Sequence, residues 1–281
     1  MAAPYIDDAF KTKFNDDLHL TYQQGASKIR GTVRTDGQVI GKDVRFMKLG
    51  TIGMVAKSRN GDIPLTQPAH NHVDATMIDK YLHVLIDGLD LTKLSIDVRN
   101  GYIKSMAAAA ARETDDIIIS AMSAGATVSQ GSYSGVITRN VALEVNEILD
   151  AADVPRDGRR FCAVSAHQWA ALECINQFVS ADYNGPDLPF KKMGFETRTW
   201  NDVHWMVHNR LPGKGTTQVK CYAWHMDAVG HGVNSEVQLQ WQWKNEKWAW
   251  DGAGAMSMGA CVIDTAGLVE VRLNDTTALP T

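Results

Sequence analysis

The sequence predicts an α+β fold, and three features carry that prediction. From Arg99 to Ala124 the chain contains no proline and only one glycine, Gly101, and it includes five consecutive alanines, Ala107 to Ala111. Such a run is a strong helix signal. Later, Val237, Leu239, Trp241 and Trp243 alternate with Gln238, Gln240, Gln242 and Lys244, the period of two that defines a strand. Earlier, Asn60-Gly61 stands between strand-forming flanks, the mark of a tight hairpin turn.

Residues 1–45 are polar and punctuated by Gly25, Gly31, Gly37 and Gly41. Phe10, Phe14, Leu18 and Tyr22 recur every fourth residue and predict a helix over Asp7–Gln24. The remainder reads as an extended arm that cannot bury itself and needs another surface, such as a neighbouring subunit. A long β-hairpin follows over residues 43–75, with Lys57, Arg59 and Asp62 near its tip. Thr76–Asp87 forms a second extended stretch, ending at Gly88.

In the long helix, Ile103, Met106, Ala110, Ile117, Ala121 and Ala124 share a face, and the helix spans roughly 35–40 Å. Gly125 ends it. Gly131–Gly135 is a flexible loop, and a helix runs from Thr138, its N-cap, to Ala152, with Pro155 beyond. A strand at Arg160–Ser165, a helix at Ala166–Cys174, and strands at Val203–His208 and Cys221–His225 complete the middle of the chain. After the alternating strand, Asn245-Glu-Lys turns the chain and Trp248 and Trp250 return, so that cross-strand tryptophan pairs hold the hairpin. Gly259–Asp264 and Leu268–Leu273 are the last strands, and Asn274–Thr281 reads as a frayed tail.

A hydrophobic content of 44% with 21% charged residues allows a sizeable core and argues against general disorder. The net charge of -4 argues against a protein that coats nucleic acid, which would be strongly basic. It leaves open a container for nucleic acid. Cys162, Cys174, Cys221 and Cys261 form no CxxC pair, which points to half-buried structural thiols rather than zinc or redox chemistry. The leading residues lack a positive segment followed by an apolar run, and no run of about 18 apolar residues occurs. Folding in the cytosol, with no membrane span, is the expectation.

No catalytic constellation emerges. His70, His72 and Asp74 would suit a metal but read better as a solvated loop. His204 and His208, four apart, favour structural roles on a strand. Gly213-Lys-Gly-Thr-Thr lacks the upstream glycine of a phosphate loop and leads into a strand. Glu113, Asp115 and Asp116 would pass for catalytic carboxylates, yet adjacent acids on a helix point about 100° apart. A solvated or intersubunit face is their expected place. No enzyme activity, cofactor or metal is expected. A metal-dependent hydrolase using His70, His72, His204 and His208 is the alternative from another class.

The order of parts then resembles a known family. A polar arm, a long hairpin, an alanine-rich helix, a mixed α/β region and a β-rich return are similar to the tailed-phage major capsid proteins of the Hong Kong ninety-seven type. Local stretches resemble it too: Ile63-Pro64 after the tip, Asp87-Gly-Leu-Asp90 before the helix, and Gly194-Phe-Glu-Thr-Arg. His204 to Pro212, Ala223 to Gly230, and Gly259 to Val269 add to the likeness.

The resemblance implies an N-terminal arm (1–42), an extended loop (43–80), a peripheral domain with a spine helix (81–135), an axial domain (136–235) and a return to the peripheral domain (236–281). It implies hexamers and pentamers closing an icosahedral shell around double-stranded DNA in a virion assembled in the bacterial cytoplasm. A separate scaffolding protein, a portal and a decoration protein are the implied partners. The covalent cross-link of some members is not carried over, because Lys57 lacks a matched partner. Subunit interface residues are expected at Lys57 and Arg59 in the hairpin, facing Glu113, Asp115 or Asp116 of an adjacent copy, with Asp62 beside them. An encapsulin-like compartment shares this fold and remains the other alternative.

Overall fold

The computed structural model describes residues 23–37, 39–93, 98–128, 133–179 and 197–280. The helix expected over Asp7–Gln24 lies outside them except for its last two residues, as do the start of the Gly131–Gly135 loop and Gly194-Phe-Glu.

After one 3-10 turn, Arg30–Thr32, comes strand β1 (Arg34–Gly37). Ile29 and Val33 are buried in the main core, and Trp224 Nε1 donates to Thr32 O at 3.0 Å. This corrects the expectation that the whole arm must lie on another molecule. From Ser27 onward Ile29, Val33 and Val39 are buried in their own chain, while Ile40 stays exposed.

β2 (Asp43–Leu49) and β3 (His70–Thr76) pair antiparallel, from Asp43 opposite Thr76 to Leu49 opposite His70. Gly50 N–H donates to Ala69 O at 2.8 Å, and there the ladder stops. The chain turns at Arg59 and Asn60, where Gly61 N–H donates to Ser58 O at 3.2 Å. The expected hairpin is present with its tip at Asn60-Gly61, but strand geometry is confined to its base.

Next come β4 (Ile78–Asp87), α1 (Gly88–Lys93) and α2 (Val98–Gly125). The alanine-rich helix is one residue longer at each end than expected. Its buried face is also displaced: Ala124 is exposed, whereas Ile117, Ile118, Ile119 and Met122 are all buried. Three consecutive residues point in different directions around a helix, so its C-terminal half is enclosed on more than one side.

After β5 (Thr127–Val128), helix α3 (Arg139–Ala151) starts at the expected cap, with Thr138 Oγ1 accepting from Val141 N–H at 3.5 Å. Thr138→Ala should lower the free energy of unfolding by about 0.5–1 kcal/mol in urea denaturation, toward the low side for a cap because the bond is long. β6 (Arg160–Val164) leads to α4 (Ala166–Glu173), capped by Ser165, and to α5 (Asn176–Val179). β7 (Thr197–Trp200), β8 (Val203–Val207) and β9 (Val219–His225) follow, then the long strands β10 (Val229–Lys244) and β11 (Ala249–Val262), and finally β12 (Leu268–Leu273).

The chain divides into two compact units. One gathers Lys80–Arg112 and Val237–Met256 with the described residues 23–26. Within it, Trp243 meets Trp248 and Trp250 edge-on, with centroids 5.3 and 5.5 Å apart. The Arg99 guanidinium lies 4.8 Å from the Trp250 ring centre. The expected tryptophan pairing across the turn is thus present, with a helix cation seated on it.

The other unit comprises Ser27–Asp79, Glu113–Glu236 and Ser257–Thr281. Its six-stranded sheet runs β5-β12-β9-β6-β8-β7. Trp205, Tyr222, Trp224 and Leu268 are fully buried on it, beside Ile118, Met122 and Leu149 from α2 and α3. β12 pairs antiparallel with β9, so residues 236–281 do not return as one block: their last strand belongs to this sheet.

The tail corrects a second expectation, for from Asn274 to Thr277 it is tied down rather than frayed. The Asp275 carboxylate accepts from Ser165 Oγ at 2.7 Å, Gln168 Nε2 at 2.9 Å and Gly215 N–H at 3.0 Å. Asn274 N–H donates to Gly135 O at 3.0 Å.

Candidate functional site

The hairpin carries the most conspicuous unsatisfied surface. Met54, Ile63 and Leu65 are exposed at 105, 81 and 86% of their reference areas, and Met47, Leu49, Ile52 and Val55 are exposed as well. A contiguous apolar stretch of this kind marks a contact surface for another protein. Lys57, Arg59 and Asp62 are exposed among these residues, as the turn signal places them. Lys57 Nζ donates to Gly61 O at 3.2 Å and so helps close the turn.

The root of the hairpin is different. Val44, Phe46 and Ala75 are buried in a small core with Val39, Cys261 and Ile263. Arg45 grips Asp74 with two bonds of 2.8 and 2.9 Å. The hydrogen bonds from Arg45 hold the Asp74 carboxyl below the usual carboxylate range. Lys48 pairs with Asp264 at 2.8 Å.

Of the acids of α2, Asp115 departs from the solvated or intersubunit face expected of it. Asp115 is fully buried. It accepts from Ser27 Oγ at 2.5 Å, from the N–H groups of Lys28 and Ile29 at 3.1 and 3.3 Å, and from His208 Nε2 at 3.1 Å. Arg210 N–H donates to His208 Nδ1 at 3.3 Å, which leaves Nε2 as the proton-bearing nitrogen facing Asp115. Asp115 is therefore withdrawn from any surface, because four donors of its own chain surround it. Asp116 is held by a two-point contact from Arg210, whose guanidinium is pushed up in pKa by that hydrogen bonding. Glu113 stands on the same stretch of helix, half-buried. No local sequence signal joins Ser27 and His208 to Asp115, since 86 to 93 positions separate Asp115 from its donors.

The histidines are not gathered into a set. His204 bonds to Thr199 Oγ1 at 2.7 Å and Gly158 O at 2.8 Å, while His208 serves Asp115. His72 lies 4.0 Å from Asp74, which is committed to Arg45. Among the described residues no three His, Cys, Asp or Glu side chains stand together as metal ligands. Cys162, Cys221 and Cys261 are buried and Cys174 is exposed, a departure from four half-buried thiols. Burial pushes the thiols of Cys221 and Cys261 up to about 12 and about 11.

In the other unit, Tyr81, His83, Gln238, Gln240, Ala253 and Ala255 line a shallow groove of about 270 Å³. At its margin Asp251 is held by Lys244, His83 and Gln242. The contact with Lys244, first among these, keeps its carboxyl down at about 2.

A mixed α+β fold with a long helix, and a hairpin whose apolar side chains are exposed, is the geometry of a subunit that docks on other protein chains. Comparison with known proteins agrees. A family model described as phage capsid protein matches residues 6–275. The chain belongs to that family, whose members are structural proteins of the capsid rather than enzymes and associate with copies of themselves.

Solved structures show its fold to be the Hong Kong ninety-seven type. The capsid of the cyanophage P-SCSP1u is 15% identical, with 97% of this chain and 95% of that chain covered at a TM-score of 0.77. Mycobacterium phage Che8 gives 16% identity, 96 and 98% coverage and a TM-score of 0.71. The capsid of a native GTA particle gives 11%, 96 and 97%, and 0.75. No curated protein matches the chain in sequence.

Proposed function

We propose that this chain is the major subunit of an icosahedral shell, assembling as hexamers and pentamers around the double-stranded DNA genome of a tailed phage. The observation that carries the reading is the distal hairpin, residues 51–69, whose apolar side chains are exposed beyond a well-packed root. Burying them on an adjacent copy contributes about 25 cal/mol per Å² of apolar area. Lys57 and Arg59 then set register against acids of the neighbour's α2. Asp115 is withdrawn from that contact, and Asp116 is shared with Arg210. Exposed pairs of this kind contribute about 0–1 kcal/mol each. Many weak contacts suit a shell, because neighbours multiply them while single errors still dissociate.

In this reading the peripheral part draws on residues 81–135 and the axial part on residues 136–235. The break between the compact units, between Arg112 and Glu113, falls inside this peripheral span. A separate scaffolding protein, a portal and a decoration protein complete the assembly, and the DNA is enclosed without recognition of its sequence.

Negative-stain microscopy of the expressed chain is the direct test: rings or closed shells are expected. A compact, protease-resistant monomer at every concentration would end the proposal. Purified particles should contain DNA when made in infected cells; protein cargo instead would favour an encapsulin-like compartment. Arg59→Glu should reduce the yield of shells while circular dichroism stays that of the parent, and normal shells would refute the pairing.

A further inference from the structure

We propose that the hairpin is aimed by its own chain: its root is locked into a glycine seat on β10, and the adjustable joint lies further out, at Gly50. This rests on the shell reading above and adds to it the residues that set the hairpin's direction.

Gly230 and Gly232 are two apart on β10 and therefore share a face. A Cβ on Gly230 would lie 2.7 to 3.0 Å from three atoms of the Phe46 ring, and one on Gly232 would lie 2.5 Å from Val44 Cγ1. The two inward side chains of β2 thus rest directly on backbone, at a distance that no other residue type permits. Lys48 pins the same strand through Asp264 at 2.8 Å.

A close-packed seat of this kind does not bend by degrees. Tilting the root would lift the Phe46 ring off Gly230 and open a void, and packed interiors resist such gaps. The restraint ends abruptly. Gly50 N–H to Ala69 O is the last ladder bond, and every residue from Thr51 to Asn60 is exposed. Subunits in unequal environments of one shell need the hairpin to reach slightly different neighbours. That adjustment takes place beyond Gly50, while the root keeps one angle. Gly230 and Gly232 are accordingly positioning residues for assembly.

Hydrogen exchange on the unassembled full-length chain reads this directly. The ladder amides of Val44, Phe46, Lys48, Asn71, Val73 and Ala75, every second residue of the two-stranded ribbon, should exchange roughly a hundredfold more slowly than the amides of 51–69, as ladder amides do relative to unpaired ones. On assembly only the distal set should gain protection. Gly230→Ala should keep the parent's circular dichroism spectrum yet give roughly tenfold fewer closed shells of parental diameter, because a small error in aim is repeated at every neighbour. Adding Phe46→Leu to that variant, which removes the clashing ring atoms, should recover part of the yield.

Root amides that exchange as fast as the tip in the free subunit would overturn the inference and leave the shell reading intact. So would parental shells from Gly230→Ala at parental yield. If the parent makes no shells, the shell reading fails, and root protection in the subunit is still measurable by itself.

Discussion

Asp115→Ala is expected to lower the free energy of unfolding by about 3–5 kcal/mol, a large share of the roughly 5–15 kcal/mol typical of a folded domain. The carboxylate is fully buried and accepts from Ser27 Oγ, two backbone N–H groups and His208 Nε2. Alanine leaves these four donors facing a cavity, and each buried donor without an acceptor costs about 1–3 kcal/mol before water or relaxation recovers some of it. The segment Ser27–Ile29 should also loosen from α2, so trypsin should cut after Lys28 and Arg30 in the variant while the parent resists. Urea denaturation gives the magnitude and the digest gives the location. A loss below about 1 kcal/mol with an unchanged digest would show that the buried carboxylate is not what anchors this segment.

The second large effect is acid sensitivity through His231. Its ring is fully buried on β10, opposite Thr35 of β1, and neither nitrogen has a hydrogen-bond partner among the described residues. Burial pulls its pKa from 6.5 down to about 4; Arg30 pushes the same way and Glu236 opposes. These two charges also pair with each other, by a bond of 3.0 Å from Arg30 Nη1 and a second, shorter one.

As pH falls through 6.5 the unfolded chain takes up a proton at this histidine, whereas the folded chain does so only near pH 4. Between those values the unfolded state binds more protons, so stability falls with falling pH. Above 6.5 the group contributes no pH dependence. The full loss, reached near pH 4, is about 3 kcal/mol by the usual conversion. His231→Leu should remove that slope, seen in urea midpoints at pH 7, 5.5 and 4.5. Parallel pH profiles for parent and variant would refute the assignment. Asp150 and Asp251, with carboxyls held at about 2 by Arg156 and Lys244, stay ionised in this window. Their contribution is present above 3.8 and is lost between there and about pH 2.

Much of the architecture was legible along the chain because its determinants are local. Helix α2 follows from an alanine run free of proline, the turn at residues 59–61 from Asn60-Gly61, and the start of α3 from Thr138. The tryptophan hairpin follows from strict alternation and a three-residue turn. Lys57, Arg59 and Asp62 could be placed at a hairpin tip for the same reason. Each of these depends on propensity or period within about one turn of chain.

What only the tertiary structure decided is which distant groups meet. Asp115 and Asp116 are adjacent acids on one helix and look alike in sequence. One is buried because Ser27 and His208 arrive around it, and the other pairs with Arg210. The same holds for Ile29 and Val33 entering the core, for Asp275 capturing the tail 110 positions from Ser165, and for β12 joining β9. Hydrogen-bond and packing partners at such separations are chosen by the folded geometry, and no period or propensity in the local sequence records that choice.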